Sequence, residues 1–220
     1  MNSMNFKAKI IVSIFSLFLM ISSLKAQNTQ SLLSEVSNKV KSYENIQIDF
    51  KYSLENTREN VKQDTKANIT LKGDNYVLNM LGVTRIFDGK TIYTIVPEDE
   101  EVTISDYSKE EDKSISVSEM LTFYEKGYNY KMDIQQNIRG RKIQFIKLSP
   151  IDSTTEIKNI LLGIDMQTKH IYKLIQIDSS GTNYTITVNS FKTNQPISQN
   201  LFIFDEEKYI NQGYYINKLE

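Results

Sequence analysis

The side chains that could carry chemistry are few in this sequence. His170 is the only histidine, and the chain contains no cysteine. One histidine suffices for a Ser–His–Asp triad, but no Gly-x-Ser-x-Gly nucleophile motif accompanies it. A zinc site would need carboxylates alone, which is unusual for that metal. We therefore interpret His170 as a surface residue of a turn, and we expect neither a catalytic centre nor a bound metal or other cofactor.

Two runs of acidic residues, 98–101 and 110–112, are the other candidates for acid–base chemistry. A hydrolase that uses paired carboxylates needs two of them fixed across a cleft at a defined separation. Both runs are loop-like stretches of like charge, which are typical of solvated loops. The eight glycines are scattered one to a turn, so no phosphate-binding loop is present. These patterns argue against an enzyme.

The first 26 residues have the pattern of a cleaved secretory signal peptide. Lys7 and Lys9 precede an apolar stretch over 10–24, and Ala26 offers a small residue at a cleavage point. This apolar stretch is shorter than a permanent membrane span and is followed by a cleavage point. We expect residues 27–220 to form a single soluble domain in the periplasm, large enough to fold without disulfides.

The net charge of this domain limits which classes of partner it can bind. Loss of the three lysines in the leader changes the net charge from −1 to about −4, and no basic block remains. A mildly acidic chain of this kind is a poor nucleic-acid binder, so we expect no nucleic-acid partner. We expect the domain to be a monomer.

Helical spacing of apolar residues predicts two helices. The first lies near the start of the domain and carries Leu32, Leu33, Val36 and Val40. The second covers 116–124, where Ser116 and Glu119 have capping-box spacing. Its apolar residues are Val117, Met120, Leu121, Phe123 and Tyr124.

Alternation of apolar and polar residues predicts about eleven strands joined mostly by short turns. The clearest hairpin signal is Asp88-Gly89, which separates two apolar runs. The fold class is therefore mainly β with a few helices (α+β), built on a long antiparallel sheet. The predicted strands lie near 48–54, 66–72, 76–80, 86, 92–96, 102–104, 128–134, 143–148, 157–164, 171–177 and 184–188.

A sheet of this length must curl, and two helices cannot cover both of its faces. The chain also has 13 Tyr and 10 Phe, which supply extensive aromatic surface. Together these features predict a concave, partly unfilled hydrophobic cavity with a helical lid. Such a cavity binds acyl chains through burial, at about 0.8 kcal/mol for each CH₂ removed from water.

Strand alternation indicates which residues line this cavity. In the other register of the sheet, Ile92 and Val96 would replace Tyr93 and Ile95, because alternation shows which residues share a face but not which face is inward. The predicted strand wall consists of Phe50, Tyr52, Ile69, Leu71, Leu78, Met80, Tyr93 and Ile95. The predicted lid residues are Leu32, Val36, Val40, Met120, Leu121 and Phe123.

Several segments, in this order and spacing behind a signal peptide, resemble a known family. They are the opening helix with Ile46–Tyr52, Asp88-Gly-Lys-Thr-Ile-Tyr93 with Pro97 and Glu101-Val-Thr103, Phe145-Ile-Lys-Leu-Ser-Pro150, Ile157–Ile164 with 165–174, and Phe202-x-Phe204. The family that they resemble is LolA, the periplasmic carriers of outer-membrane lipoproteins. The resemblance covers most of residues 27–220.

The resemblance implies a half-barrel of about eleven strands with helices inserted as a lid over a hydrophobic cavity. It implies a carrier that binds the acyl chains of lipoproteins, or another lipid, and ferries them from the inner to the outer membrane. The implied partners are acylated lipoproteins or lipid, an inner-membrane ATP-driven lipoprotein exporter and an outer-membrane acceptor. The family often has an Arg-Pro pair whose Arg helps to hold the lid closed. The matching place here reads Leu71-Lys-Gly-Asp-Asn75, where Lys72 is the candidate substitute.

A second interpretation keeps the half-barrel and changes its use. The domain would then be an envelope protein-interaction or sensor module that transports no lipid. Its apolar surface would serve a stable interface, and no cavity would need to be emptied. Lipid that co-purifies with the protein would distinguish the two interpretations.

Overall fold

A computed structural model describes residues 28–107 and 121–219 of the chain. One helix, α1, spans 28–41, a short 3-10 helix spans Phe123–Glu125, and a second α-helix, α2, spans Glu206–Asn211. The strands are β1 (Ile46–Asn56), β2 (Val61–Lys72), β3 (Asn75–Met80), β4 (Val83–Phe87), β5 (Thr91–Val96), β6 (Glu101–Asp106), β7 (Tyr128–Ile138), β8 (Arg141–Pro150), β9 (Ile157–Asp165), β10 (Ile171–Asp178), β11 (Asn183–Thr193) and β12 (Tyr215–Lys218).

All of these strands belong to one open, curled sheet of twelve strands with the order β12-β6-β5-β4-β3-β2-β1-β11-β10-β9-β8-β7. Neighbouring strands are antiparallel, except that β12 runs parallel to β6. Strands β1 and β11 pair at the centre of the sheet, from Ile46 opposite Thr193 to Glu55 opposite Asn183. The mainly β half-barrel is therefore confirmed.

The sheet has one strand more than the approximately eleven expected from alternation. The additional strand, β12, has only four residues, which is too short to give a clear alternating pattern. It follows α2 and is anchored by backbone hydrogen bonds from the N–H of Tyr215 to the carbonyl of Glu100 and from the N–H of Leu219 to the carbonyl of Ile104.

Helix α1 packs on the concave face of the sheet and divides its core into two clusters. Leu32, Leu33 and Val36 pack over β8, β9 and β10, and Val40 packs over β1, β2 and β3. The first cluster contains Ile146, Leu148, Ile160, Leu162, Ile164 and Ile171, together with Tyr124. The second contains Ile46, Ile48, Ile69, Leu71, Tyr76, Phe87 and Ile92.

The C-terminal segment covers part of the convex face. Phe204, Tyr209, Tyr214 and Ile216 pack against buried Ile86, Ile95 and Val102 of β4, β5 and β6. Asp205 caps α2 through its carboxylate, which accepts a hydrogen bond from the backbone N–H of Lys208. The half of the sheet that contains β1 to β6 thus has α1 on one face and the C-terminal segment on the other.

The Asp88-Gly89 turn joins β4 to β5, as its sequence predicts. The carboxylate of Asp88 accepts hydrogen bonds from the backbone N–H groups of Lys90 and Thr91 at 2.9 and 2.8 Å. Gly89 has a φ of 99°, a conformation that side chains disfavour. Among the described residues no helix is both long and apolar enough to cross a membrane.

Candidate functional site

The pairing register brings six of the predicted wall residues onto the concave face. Ile48 lies opposite Ile69, which lies opposite Leu78, and Ile46 lies opposite Leu71. Alternation along the same strands adds the others. The six that share the face with α1 are Phe50, Tyr52, Ile69, Leu71, Leu78 and Met80.

Tyr93 and Ile95 lie on the opposite, convex face. The ring of Tyr93 stacks on Phe204 with ring centroids 4.5 Å apart, and Ile95 is buried beneath the C-terminal segment. Expectation and structure differ because alternation does not show which face is inward. In β5 the other register applies, so Ile92 and Val96 point to the concave side.

The predicted lid residues divide between two parts of the sheet. Val40 and Leu121 pack against this wall. Leu32, Val36 and Phe123 pack instead over β8, β9 and β10. Leu32, Val36 and Val40 are buried between α1 and the sheet. Leu121 packs against the second core cluster and Phe123 against the first. Met120 lies outside the described residues.

A pocket of about 370 Å³ opens at the C-terminal end of α1. Its apolar lining includes Val40, Tyr43, Ile46, Leu71 and Leu121. Its polar lining comes from Lys41, Glu44, Asn45, Asp74 and Thr122. The lining therefore combines apolar side chains with the exposed charged residues Lys41, Glu44 and Asp74, a mixture that suits an amphipathic ligand.

The 3-10 helix is tied to α1 by a buried hydrogen bond. Ser37 donates its hydroxyl to the Tyr124 oxygen at 3.1 Å, and both side chains are almost fully buried. Burial raises the pKa of Tyr124 to about 12, and the hydrogen bond from Ser37 opposes this shift. At the surface nearby, the Lys41 ammonium lies 2.6 Å from the Glu125 carboxylate.

His170 is not the surface turn residue that the sequence suggested. Its ring is half-buried and stacks on Phe191 with centroids 4.0 Å apart. Its Nε2 atom lies 2.8 Å from the Tyr43 hydroxyl oxygen. Burial lowers the pKa of His170, the charge of Lys39 lowers it further, and Asp165 raises it. No local pattern marks this position, because residues from three distant segments create it.

The acidic runs do not form a paired-carboxylate site in the part of the chain that the structure describes. Residues 98–100 lie in the exposed turn between β5 and β6, and residues 110–112 lie outside the described ranges. Over 28–107 and 121–219, no group of three or more His, Cys, Asp or Glu side chains could hold a metal ion.

The charged residue on the concave face is not the one that the sequence indicated. Lys72 lies one residue after Leu71 in β2, so alternation points it to the convex face, where it is exposed. Arg85 instead points to the concave face, because it lies opposite Leu78 and Thr94. In the sequence, β4 gives a strand signal only around Ile86, and a single position is too short to show which face Arg85 occupies.

This geometry defines a class of protein: an open antiparallel half-barrel whose concave, apolar face is occupied by a helix. The family described as outer membrane lipoprotein carrier protein LolA matches residues 82–205, more than half of the chain. The chain therefore belongs to the LolA family. No curated protein sequence gives a significant match.

Several solved structures are similar to this one. An uncharacterized conserved protein from Thermus thermophilus is 9% identical, with a TM-score of 0.58 over 87% of this chain and 99% of that chain. LprF from Mycobacterium bovis is 13% identical, with a TM-score of 0.49 over 79% and 96% of the two chains. A putative outer membrane lipoprotein-sorting protein domain from Vibrio parahaemolyticus is 8% identical, with a TM-score of 0.45 over 81% and 97%. At 9% identity the likeness to the Thermus thermophilus protein is one of fold alone.

Proposed function

We propose that this protein is a periplasmic carrier that binds the acyl chains of lipoproteins, or of another lipid, on its concave face and ferries them from the inner to the outer membrane. The observation that carries the proposal is the continuous apolar wall beneath α1, which ends in the pocket of about 370 Å³. Membership of the LolA family supports the same conclusion. The proposed activity is binding and release, without a chemical reaction.

The volume of the pocket limits what it holds in the present conformation. The pocket is open on one side, and its volume of about 370 Å³ has room for part of one acyl chain. A longer or multiply acylated ligand requires α1 to leave the wall and expose residues such as Val36 and Val40.

Acyl burial supplies the free energy for this movement. Each CH₂ removed from water contributes about 0.8 kcal/mol. This gain must exceed the cost of exposing the buried α1 residues Leu32, Leu33, Val36 and Val40, about 1.5–3 kcal/mol for each side chain. Ligand binding would therefore shift the population from the closed to the open arrangement. An inner-membrane ATP-driven exporter would load the carrier, and an outer-membrane acceptor would unload it.

Native mass spectrometry with lipid extraction tests the proposal. The full chain is expressed, and the protein is purified from the cell envelope without detergent. We expect it to carry bound lipoprotein or acyl lipid. Met80→Glu, which places a carboxylate on the concave face, should remove the ligand. Lys66→Glu on the exposed convex side of β2 is the matched control and should retain it.

The alternative, an envelope interaction or sensor module, predicts a different result. Wild-type protein would then be free of lipid and would also fail to accept lipoprotein from membranes. That combination would contradict the carrier proposal. Loss of ligand in the Lys66→Glu control as well would show that charge in general, and not the wall, controls retention.

A further inference from the structure

The hairpin of β7 and β8 is strongly basic, although the chain as a whole is slightly acidic. Residues 128–150 contain five cationic side chains and one acidic one, Asp133, whereas the formal net charge of the whole chain is −1. All five cations are exposed. Arg141 already has partners, because it lies 3.8 Å from the Asp165 carboxylate and 4.6 Å from the ring centroid of Tyr172. The four others form what we call the basic patch: Lys131, Arg139, Lys142 and Lys147.

The cations of the basic patch are not neutralised by neighbouring side chains. Over residues 28–107 and 121–219, no ion pair includes any of the four. Lys131 lies directly opposite Lys147 in the register of the two strands. Lys147 lies between the concave residues Ile146 and Leu148, so alternation places both lysines on the convex face. Because like charges at opposed positions destabilise a sheet, an external anionic surface that reached both lysines would relieve their repulsion.

An exposed apolar side chain lies beside this pair of lysines. The pairing of β7 with β8 shifts between Met132 and Gln135, so Asp133 and Ile134 together lie opposite Phe145. Ile134 is 56% exposed, and β7 is the last strand in the order of the sheet. The edge of the sheet therefore presents an isoleucine with cations before and after it in the chain.

We propose that the basic patch and Ile134 bind the surface of a membrane that contains anionic phospholipids. The negative potential of such a surface attracts Lys and Arg, and an apolar side chain can enter the boundary between headgroups and acyl chains. From Lys131 to Arg139 the patch extends over about 25 Å, at about 3.3 Å for each residue of a strand. A plane of mobile headgroups can neutralise cations spaced this widely, whereas a single small anion cannot. This inference goes beyond the proposed carriage of acyl chains and needs no ligand on the concave face.

The other side of the same strand belongs to the concave face. There, Tyr128, Tyr130 and Met132 of β7 pack against the first core cluster. The two sides of β7 thus face the membrane surface that we propose and the apolar surface that we propose for acyl binding. An acyl chain that leaves the membrane at this edge would therefore meet apolar side chains of the same strand.

Flotation with lipid vesicles tests the proposal. Lipid-stripped protein from the full-length gene is mixed with vesicles of pure phosphatidylcholine, or of equal parts phosphatidylcholine and phosphatidylglycerol. Intact mass must first show that residues 10–24 are absent, because this apolar stretch would itself bind vesicles. We expect the protein to bind the anionic vesicles and not the neutral ones. We also expect salt to weaken this binding, because salt screens exposed charges.

Substitutions assign the binding to the basic patch. Lys131→Gln combined with Lys147→Gln should weaken binding to anionic vesicles about tenfold or more. The unfolding temperature should stay the same or rise, because the repulsion between the two lysines is removed. Lys66→Gln combined with Lys72→Gln is the matched control, since it removes the same charge from the same face of the sheet in β2, and it should bind as wild type does. Ile134→Ser should weaken binding and leave its salt dependence unchanged, because it removes apolar burial and no charge.

Three results would overturn the inference. They are no binding to anionic vesicles at low salt, an equal loss of binding in the patch variant and in the β2 control, and binding that salt does not weaken. With no binding at all, the patch would fit an acidic protein surface instead.

A further variant separates this inference from the proposed carrier function. Met80→Glu, which places a carboxylate on the concave face, should bind vesicles as wild type does even though its acyl binding is lost. Retained vesicle binding by a wild-type protein that takes up no acyl lipid would contradict the carrier function and leave the membrane patch intact. Loss of vesicle binding in Met80→Glu would show that vesicles are bound through the concave face, and it would overturn the patch.

Discussion

The Nε2 atom of His170 lies 2.8 Å from the hydroxyl oxygen of Tyr43. Tyr43 follows the C-terminal end of α1, whereas His170 immediately precedes β10. The same turn contacts α1 a second time, because the Lys169 ammonium lies 3.2 Å from the Glu35 carboxylate. The turn between β9 and β10 therefore holds both the middle and the end of α1 against the sheet.

We expect this junction to make stability depend on pH. Burial, followed by the charge of Lys39, lowers the pKa of His170 in the folded protein, so folding favours the neutral ring. The stabilisation is complete above the unfolded value of about 6.5 and is lost as the pH falls below it towards the lowered folded pKa. Chemical denaturation at about pH 7.5 and about pH 5.5, on either side of that unfolded value, measures the loss.

The control for this pH dependence is His170→Gln. His170 is the only histidine, so no other imidazole titrates in this window. The variant should show a smaller decrease in the free energy of unfolding between the two pH values than wild type. An equal decrease in both proteins would contradict the assignment and place the pH dependence on carboxylates.

The buried hydrogen bond between Ser37 and Tyr124 should be sensitive to removal of one partner. Tyr124→Phe leaves the Ser37 hydroxyl buried without its acceptor, which we expect to cost about 1–3 kcal/mol. Urea denaturation measures the free energy of unfolding. Combining Tyr124→Phe with Ser37→Ala should recover part of the loss, and a double variant as unstable as the sum of the single ones would argue against coupling.

Alkaline pH should also weaken the fold through Tyr124. Because burial raises the pKa of Tyr124 to about 12, its contribution is intact below the unfolded value of about 10 and is lost as the pH rises from there towards 12. Ultraviolet absorption during alkaline titration follows tyrosine ionisation. The difference between wild type and Tyr124→Phe should titrate near pH 12. A difference centred near the ordinary value of about 10 would show that Tyr124 is accessible to water.

The next prediction concerns side-chain packing at Gly163 in β9. A Cβ atom at this position would lie 2.8 Å from Cε1 of Phe145 in the adjacent strand. We expect Gly163→Ala to destabilise the protein by about 1–3 kcal/mol because Phe145 must shift. Adding Phe145→Leu should reduce the cost of the alanine, as measured by thermal unfolding. If Gly163→Ala is neutral in wild type, the contact is looser than the structure indicates.

The two faces of β5 should have separable functions. Tyr93→Ala removes the partner on which Phe204 stacks, so amide hydrogen exchange over 204–216 should become faster. Acyl binding should change little. The neighbouring substitution Ile92→Ala lies on the concave face and should weaken acyl binding instead. Weaker acyl binding in Tyr93→Ala alone would contradict the face assignment of β5.

Much of this fold could be predicted from the sequence. Alternation of apolar and polar residues is a local pattern that indicates a strand wherever the strand is long enough. Strands such as β1 and β2 repeat their pattern over eleven and twelve residues. Shorter strands repeat it too few times, and so β12 and the full length of β4 were missed. Alternation also leaves open which face of β5 is inward, and the pairing register places Ile92 and Val96 there in place of Tyr93 and Ile95.

The amino-acid sequence by itself determined the mainly β class, the Asp88-Gly89 hairpin and the apolar stripe of α1, because each depends on residues close together in the chain. Tertiary structure decided which face of the sheet α1 covers. It also brought His170 to Tyr43 across 127 positions and aligned Arg85 with Thr94 and Thr103. Those relationships follow from pairing register and sheet curvature, which arise only when distant strands bury their apolar faces together.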